Sequence, residues 1–528
     1  QKMPATEDKN RLKKNAALAA LLLFAAVLFF SIRNYGQPLS DYGNYYFGSF
    51  FFAHGVSTGK LYDPWEFNLL IDQSGAKHLY ENYTPVPPLT LAAYLPFVLF
   101  TAAVSKIIFM LLSGAFFSFS LYRFLLRHAV PFAFLAVAVL LFPLRANVEA
   151  GQSYFLVAGL LLSGWMFYGD KKYLPAALLW ALAIHLKVFP GIVFLFLLFE
   201  KDWKMIAYLF AAGVAFFLAA LPFTGFGVWE NYFTEILPRL SVNEINNPFT
   251  FLSQSGTTFL RRLFVRDELL NPGAPYNSPS LFYLLNSVYV LLLLLPVAMV
   301  SGDKKQNTFA KFSLWLFAGV LVSGYSTEYG LFLLLFPLLS AGMRETKITG
   351  RWIAFLVVAA VAASFPVHRF LYETDPVRFS RLWMLLVFFV MMVITLRPGL
   401  RFSRAMLFLL LIPVRYFPWH EAEDRSTYFL TGEIELLTGD YNWKNDTLVM
   451  QVRTPEGIAQ VENPVNETAE EDKLLAVKDG QIFDHGKQVT FSGDHKKKPM
   501  RTGDGYIVYL SDKNRGVGFY ALRKIKPE

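Results

Sequence analysis

The 528-residue chain is 54% hydrophobic and 17% aromatic, with only 17% charged residues and a mean hydropathy of +0.37. A soluble domain carries about a quarter charged residues, so this composition excludes a chain soluble throughout and indicates a polytopic α-helical membrane protein. The net charge of +9 is no signature of nucleic-acid binding, because Lys and Arg in membrane proteins mark cytoplasmic loops. The absence of cysteine excludes disulfides and thiolate metal sites and leaves the redox compartment open.

The first apolar run, "AALAALLLFAAVLFF", approaches the roughly 20 residues a spanning helix needs. No small-residue cleavage site follows it before "RNYGQPLSDY", so it reads as a retained helix rather than a signal peptide. The preceding tail carries Lys9, Arg11, Lys13 and Lys14, which places it in the cytoplasm. Basic clusters recur at Arg123/Arg127, Lys171/Lys172, Lys201/Lys204, Lys304/Lys305, Arg344/Lys347/Arg351 and Arg397/Arg401/Arg404. Requiring all of them inside predicts about thirteen membrane helices, the last being "AMLFLLLIPV", leading outward. "PVPPLTLAAYLPFVLF" would break that parity as a span, so it is expected to form a juxtamembrane or re-entrant helix. The apolar runs flanking "HLKVFP" are short, as expected of helices meeting inside a larger bundle.

From about Arg415 the pattern alternates apolar with polar and is broken by Gly-Asp and Asn-Asp turns. The expected organisation is a membrane domain over 1–414 and a small soluble β domain over 415–528, outside the membrane. "HKKKP", from His495 to Pro499, reads as a solvated turn.

This topology gathers the unusual polar residues on the external face. They are Asp41, Tyr45, His54, "GKLYDPWEF" and "ENYTPVPP" in the first loop, "RANVEAGQS" with Glu149 and Gln152, and the dip with His185 and Lys187. A long loop adds "NEINNPFTFLSQSG" with Asn247, followed by Arg261 and Arg262, and "GYSTEYG" adds Glu328. Taken singly, Asp41 is a solvated loop acid, His185 a satisfied bundle histidine, and the two arginines either interfacial anchors or anion ligands. Lys187 is harder to place structurally. A lysine at membrane depth costs roughly 3 kcal/mol unless it snorkels or pairs, and Glu149 is a candidate partner. Glycine-rich phosphate loops, zinc motifs and nucleophile elbows are absent, which argues against nucleotide-driven chemistry.

Asp41, "GKLYDPW", "NYTPVPPL", Gly151–Gln152, Lys187 with Pro190, and the asparagine-rich segment occur in an order that resembles the membrane glycosyltransferases of family 87, within the GT-C superfamily. The resemblance runs over residues 12–340 and leaves the β domain without a relative. One departure is that many members carry a histidine near the outer end of a late helix, where this chain has Glu328 and Tyr329. The resemblance implies inverting transfer of a mannose-like hexose or a pentose from a polyprenyl-phosphate donor. The acceptor would be lipid- or glycan-linked, and the reaction would face the periplasm at a bacterial cytoplasmic membrane. In this reading Asp41 is the base, and Lys187, with His185, Arg261 and Arg262, faces the donor phosphate. Tyr83, Glu149, Gln152, Asn247 and Glu328 are then sugar or acceptor contacts. No cofactor or metal is called for, although Asp41 and Glu149 would suit a metal if they converged. Membrane lipids, no nucleic acid, and a protein partner through the β domain complete the expected partners. The competing readings are a lipid-linked sugar flippase, which would want polar residues on both faces and repeat symmetry, and a catalytically idle membrane scaffold.

Overall fold

Apolar runs of this kind become helices because lipid offers no hydrogen bonds, so each backbone N–H and C=O must pair within its own segment. The computed structural model describes residues 6–396, 409, 424–430 and 439–527, apart from 77–78, 129, 325, 344, 346, 455–456 and 466. Among these, four helices are long and apolar enough to cross a membrane: Leu12–Arg33, Ala102–His128, Trp203–Thr224 and Pro279–Gly302. The pair Ala133–Val139 and Leu141–Ala150, bent by 56°, raises the number to five if it counts as one span. Further apolar helices of 10–17 residues, from Tyr154–Gly169 to Ser380–Leu396, complete the bundle. Among the described residues, helix length and composition thus mark four or five clear spans, and the count of about thirteen expected from charge placement is not confirmed. The expected last span, with Arg397, Arg401 and Arg404, lies outside the described residues, as does the boundary at residue 415.

The short helices are accommodated by protein. Thr308–Val322 is buried along nearly its whole length, so neighbouring helices rather than lipid cover it. The first helix crosses Ala102–His128 closely at Gly114, where a Cβ would lie 2.8 Å from Val27 Cγ1. "PVPPLTLAAYLPFVLF" forms only two short pieces, Thr90–Ala93 and Leu95–Leu99, and no span. At "HLKVFP" the helix Tyr173–Leu186 stops, Lys187 is extended (φ −147°, ψ 132°), and the chain resumes through Phe189–Ile192 into Val193–Glu200. "DPW" starts a helix: Asp63 accepts hydrogen bonds from the Trp65 and Glu66 N–H groups at 2.9 and 3.1 Å, with Pro64 in the first position.

The C-terminal region is β-structured, as its alternation predicts. A five-stranded antiparallel sheet runs in the order Thr427–Tyr428, Ala521–Ile525, Ile507–Ser511, Lys496–Thr502, Ala469–Glu470. Two three-stranded sheets accompany it, and in one of them Lys444 and Thr447 pair across an Asn-Asp turn with Asn445 at φ +56°. Leu448, Met450 and Val452 face inward to meet Val508, Leu510 and Leu522 in one core. "HKKKP" is not a solvated turn. Lys496 begins a strand and is buried, its ammonium 3.2 Å from Asp494 and 3.5 Å from Asp424. A strand residue facing a core must bury its ammonium, and two carboxylates compensate it.

Candidate active site

Asp41 precedes the helix Tyr42–Ala53 at the position where a short polar side chain ordinarily caps the first turn, yet it makes no capping hydrogen bond. Glu81 packs against that turn: its carboxyl lies so close to Gly43 that a Cβ there would be 2.2 Å from Oε1. Asp41 is thus not spent on the helix end and faces elsewhere.

Lys106 ties down the approach to Asp41. Its ammonium donates to the carbonyls of Pro38, Leu39 and Glu149 at 3.2, 2.9 and 2.5 Å. The Tyr42 hydroxyl meets Ser105 Oγ at 2.6 Å. Gly151 ends the helix Leu141–Ala150 at φ +68°, and a Cβ there would lie 2.5 Å from Tyr42 Cβ, so only glycine permits this approach.

The next residue, Gln152, is buried and joins the two charged groups. Its Nε2 donates to Asp41 Oδ2 at 2.6 Å, while its Oε1 accepts from Lys187 Nζ at 2.8 Å and from the Tyr45 hydroxyl at 2.7 Å. An amide both donates and accepts, so it links acid to ammonium without a direct ion pair between them. The ammonium also lies 5.6 and 5.3 Å from the ring centres of Tyr45 and Tyr154, within cation–π range. Asp41, Gln152 and Lys187 line one cavity of about 310 Å³, together with Asn44, Glu81, Asn82, Asn246 and Tyr329. That volume is at the lower end of the range typical of small-molecule sites, roughly 300–1,000 Å³. The acid and the ammonium share a single pocket.

Glu81 is almost wholly buried, and its Oε1 meets no hydrogen-bond partner among the described residues. Burial, reinforced by the nearby Asp41 charge, holds its carboxyl well above the usual carboxylate range. Between its ordinary and its raised pKa the folded chain keeps a proton that the unfolded chain has lost, so stability falls as pH rises through that window. Glu81→Gln removes this titration. The variant is expected to melt higher than wild type at neutral pH, with the difference narrowing towards pH 5, as read by thermal unfolding across pH.

The remaining residues singled out from sequence lie elsewhere. His185 points away from the cavity: Nε2 sits 3.1 Å from the Gly213 carbonyl, and the ring packs edge-on against Phe216 and Trp229. Arg261 is committed to Glu244 at 2.6 Å and stacks over Phe282. Arg262 grips both oxygens of Asp375 at 2.8 and 3.0 Å and donates to the Phe249 carbonyl. Neither arginine faces Lys187, because both fasten the long loop to the rest of the fold. Arg262→Ala is expected to destabilise by on the order of 1–3 kcal/mol, the scale of hydrogen bonds to a charged group, without changing donor affinity; Asp375 keeps Arg378 at 3.0 Å. Thermal melting and donor titration separate the two effects.

Tyr83 is fully buried in an aromatic cluster with Tyr62 and Phe67. Glu149 pairs with Arg145 one helical turn away at 2.6 Å, so it neither partners Lys187 nor converges with Asp41. Asn247 caps a local turn by accepting from the Phe249 N–H at 2.9 Å. Its neighbour Asn246 lines the cavity instead and accepts from Asn82 Nδ2 at 2.9 Å. Glu328 turns to Arg381 at 2.8 Å, leaving Tyr329 on the cavity wall. Lys106, Glu81 and Asn246 were missed as site residues. Lys106 carried a readable signal, a lone charge inside an apolar run. Glu81 and Asn246 sat in segments already marked, but only the fold distinguishes them from their neighbours.

The model of glycosyltransferase family 87 matches residues 83–324. Over that stretch, a little under half of its length, the chain is similar to glycosyltransferase family 87. The matched segment contains Lys106, Gln152, Lys187 and Asn246, and it is narrower than the 12–340 expected. Asp41 and the whole β region lie outside it, so the geometry rather than the match joins Asp41 to the family 87 segment. No curated protein matches the chain. The family match and the apolar helices together support glycosyltransferase character and fit a multi-pass membrane protein.

Proposed function

We propose that this protein is an inverting glycosyltransferase that moves a mannose-like hexose or a pentose from a polyprenyl-phosphate donor. The acceptor is lipid- or glycan-linked, and the reaction faces the periplasm of a bacterial cytoplasmic membrane, with the N-terminus in the cytoplasm. The observation that supports it is the bridge through Gln152, which places a carboxylate and an ammonium in one cavity without neutralising them against each other. An inverting transfer needs these two groups. The acceptor hydroxyl oxygen bonds to the anomeric carbon as its proton passes to Asp41. The bond from that carbon to the phosphate oxygen breaks, and polyprenyl phosphate leaves with the electron pair. Lys187 faces the negative charge that grows on the departing phosphate. Asp41 Oδ1 takes no hydrogen bond from any described residue, which leaves it for the acceptor's proton, while Oδ2 is held by Gln152. Tyr45 and Tyr154 fix the ammonium from the sides.

The test is turnover by purified protein in nanodiscs, with radiolabelled decaprenyl-phosphate mannose as donor and octyl mannoside as acceptor, extended to pentose donors. Transfer with inverted anomeric configuration supports the proposal. Absence of transfer with every donor, in a protein that still binds polyprenyl phosphate, would instead favour the idle-scaffold reading.

A further inference from the structure

The β region lies outside the family match, yet it touches the reaction cavity's wall at two places. The first is the loop carrying Tyr80, Glu81 and Asn82. The Arg453 guanidinium stacks 3.8 Å over the Tyr80 ring, and Phe519 packs against the same ring at 6.0 Å. The second is the segment Ile245–Asn246. Gly516, at φ +103°, fits against it so tightly that a Cβ would sit 2.5 Å from the Ile245 carbonyl oxygen. The Val517 N–H donates to the Glu244 carbonyl at 3.1 Å. The two wall segments are joined to each other by the Asn82–Asn246 hydrogen bond.

Charged contacts hold the region in this position. Asp512, wholly buried at its side chain, pairs with Arg239 at 2.9 Å, just before the wall segment. Tyr428 donates to Asp267 at 3.0 Å, and Lys497 pairs with Asp63 at 3.1 Å. These three contacts start from separate parts of the β region and end on Arg239, Asp267 and Asp63, so the docking is built over a wide face rather than at one point.

We infer that the C-terminal β region is a working part of the active site, setting the wall against which the acceptor binds. This rests on the reading of Asp41 as base and Lys187 as phosphate ligand. The Tyr80–Asn82 loop is on Asp41's side of the cavity, since Glu81 packs beneath the first turn that follows Asp41. An acceptor must present its hydroxyl to Asp41, so it meets this loop, whereas the donor phosphate is held by Lys187 from the helical side. Arg453 is thus a positioning residue acting through Tyr80.

The experiment uses full-length protein in nanodiscs with decaprenyl-phosphate mannose and octyl mannoside, varying one substrate at saturation of the other. Arg453→Ala is expected to raise the acceptor KM about tenfold, the scale of a lost partly desolvated cation–π contact, while donor KM stays within about twofold. Arg453→Lys, which keeps a cation over the ring, restores most of the acceptor affinity. Gly516→Val, which pushes on the Ile245 carbonyl, acts in the same direction from the other end of the wall. Hydrogen exchange gives a readout independent of substrate: amides of Tyr80–Asn82 and Ile245–Asn246 exchange faster in Arg453→Ala than in wild type. Unchanged exchange and unchanged acceptor KM, or equal shifts in both KM values, overturn the inference. Inactivity of wild type on these probes bears on the proposed reaction, and exchange alone then decides this one.

Discussion

Asp41→Asn is expected to give a folded protein whose turnover falls by about 10²–10⁴-fold, the usual contribution of a positioned base. The substitution is close to isosteric, and the one hydrogen bond seen at Asp41, from Gln152 Nε2 to Oδ2, survives if the amide oxygen takes the place of Oδ2. Helix Tyr42–Ala53 should not fray, because Asp41 makes no capping hydrogen bond to its first turn. Melting temperature and donor affinity are therefore expected to stay near wild type while kcat collapses. Wild-type kcat in this variant would remove Asp41 as the base. Collapse of folding together with activity would instead mean that the residue is structural.

Lys187→Met is expected to lower kcat/KM for the donor by about 10²–10³-fold, comparable to the loss of a preorganised donor to a developing anion. Methionine keeps the length of the side chain and its contact with Tyr45 and Tyr154, so the packing at the helix break is retained. Gln152 then loses one donor but keeps the Tyr45 hydroxyl on its Oε1. Acceptor KM should change little, because the acceptor's hydroxyl is handled at Asp41. Initial rates with varied decaprenyl-phosphate mannose and varied octyl mannoside measure the two effects. Equal loss towards both substrates would show that the ammonium holds the cavity's shape rather than the phosphate.

Charge placement and hydropathy made the membrane class legible, and period-two alternation made the C-terminal β region legible, because both depend on local composition. Counting spans was a different matter. Short helices such as Thr308–Val322 are legitimate only because other helices surround them, and no window of sequence shows that. Among the candidate residues, Asp41, Gln152 and Lys187 came together as one site, and the others were taken up by the fold. Arg262 bonds to an Asp more than a hundred positions away, Glu149 to an Arg on its own helix, and His185 to a neighbouring helix. Each of these residues is polar and rare in its segment, which is why sequence marked them; a polar group that ends up buried must find a partner, either a ligand or the protein itself.

By itself the sequence determined that the chain is a membrane protein with an appended β region, and that a few polar residues sit where lipid makes them expensive. Those properties follow from transfer energies that each segment carries alone. The tertiary structure decided which of these residues share a cavity, which are spent on holding loops, and that the β region presses on the cavity wall. These outcomes depend on contacts between positions far apart in the chain. An amide between an acid and an ammonium, or a guanidinium resting on a tyrosine ring, exists only when helices, loop and sheet have been packed together.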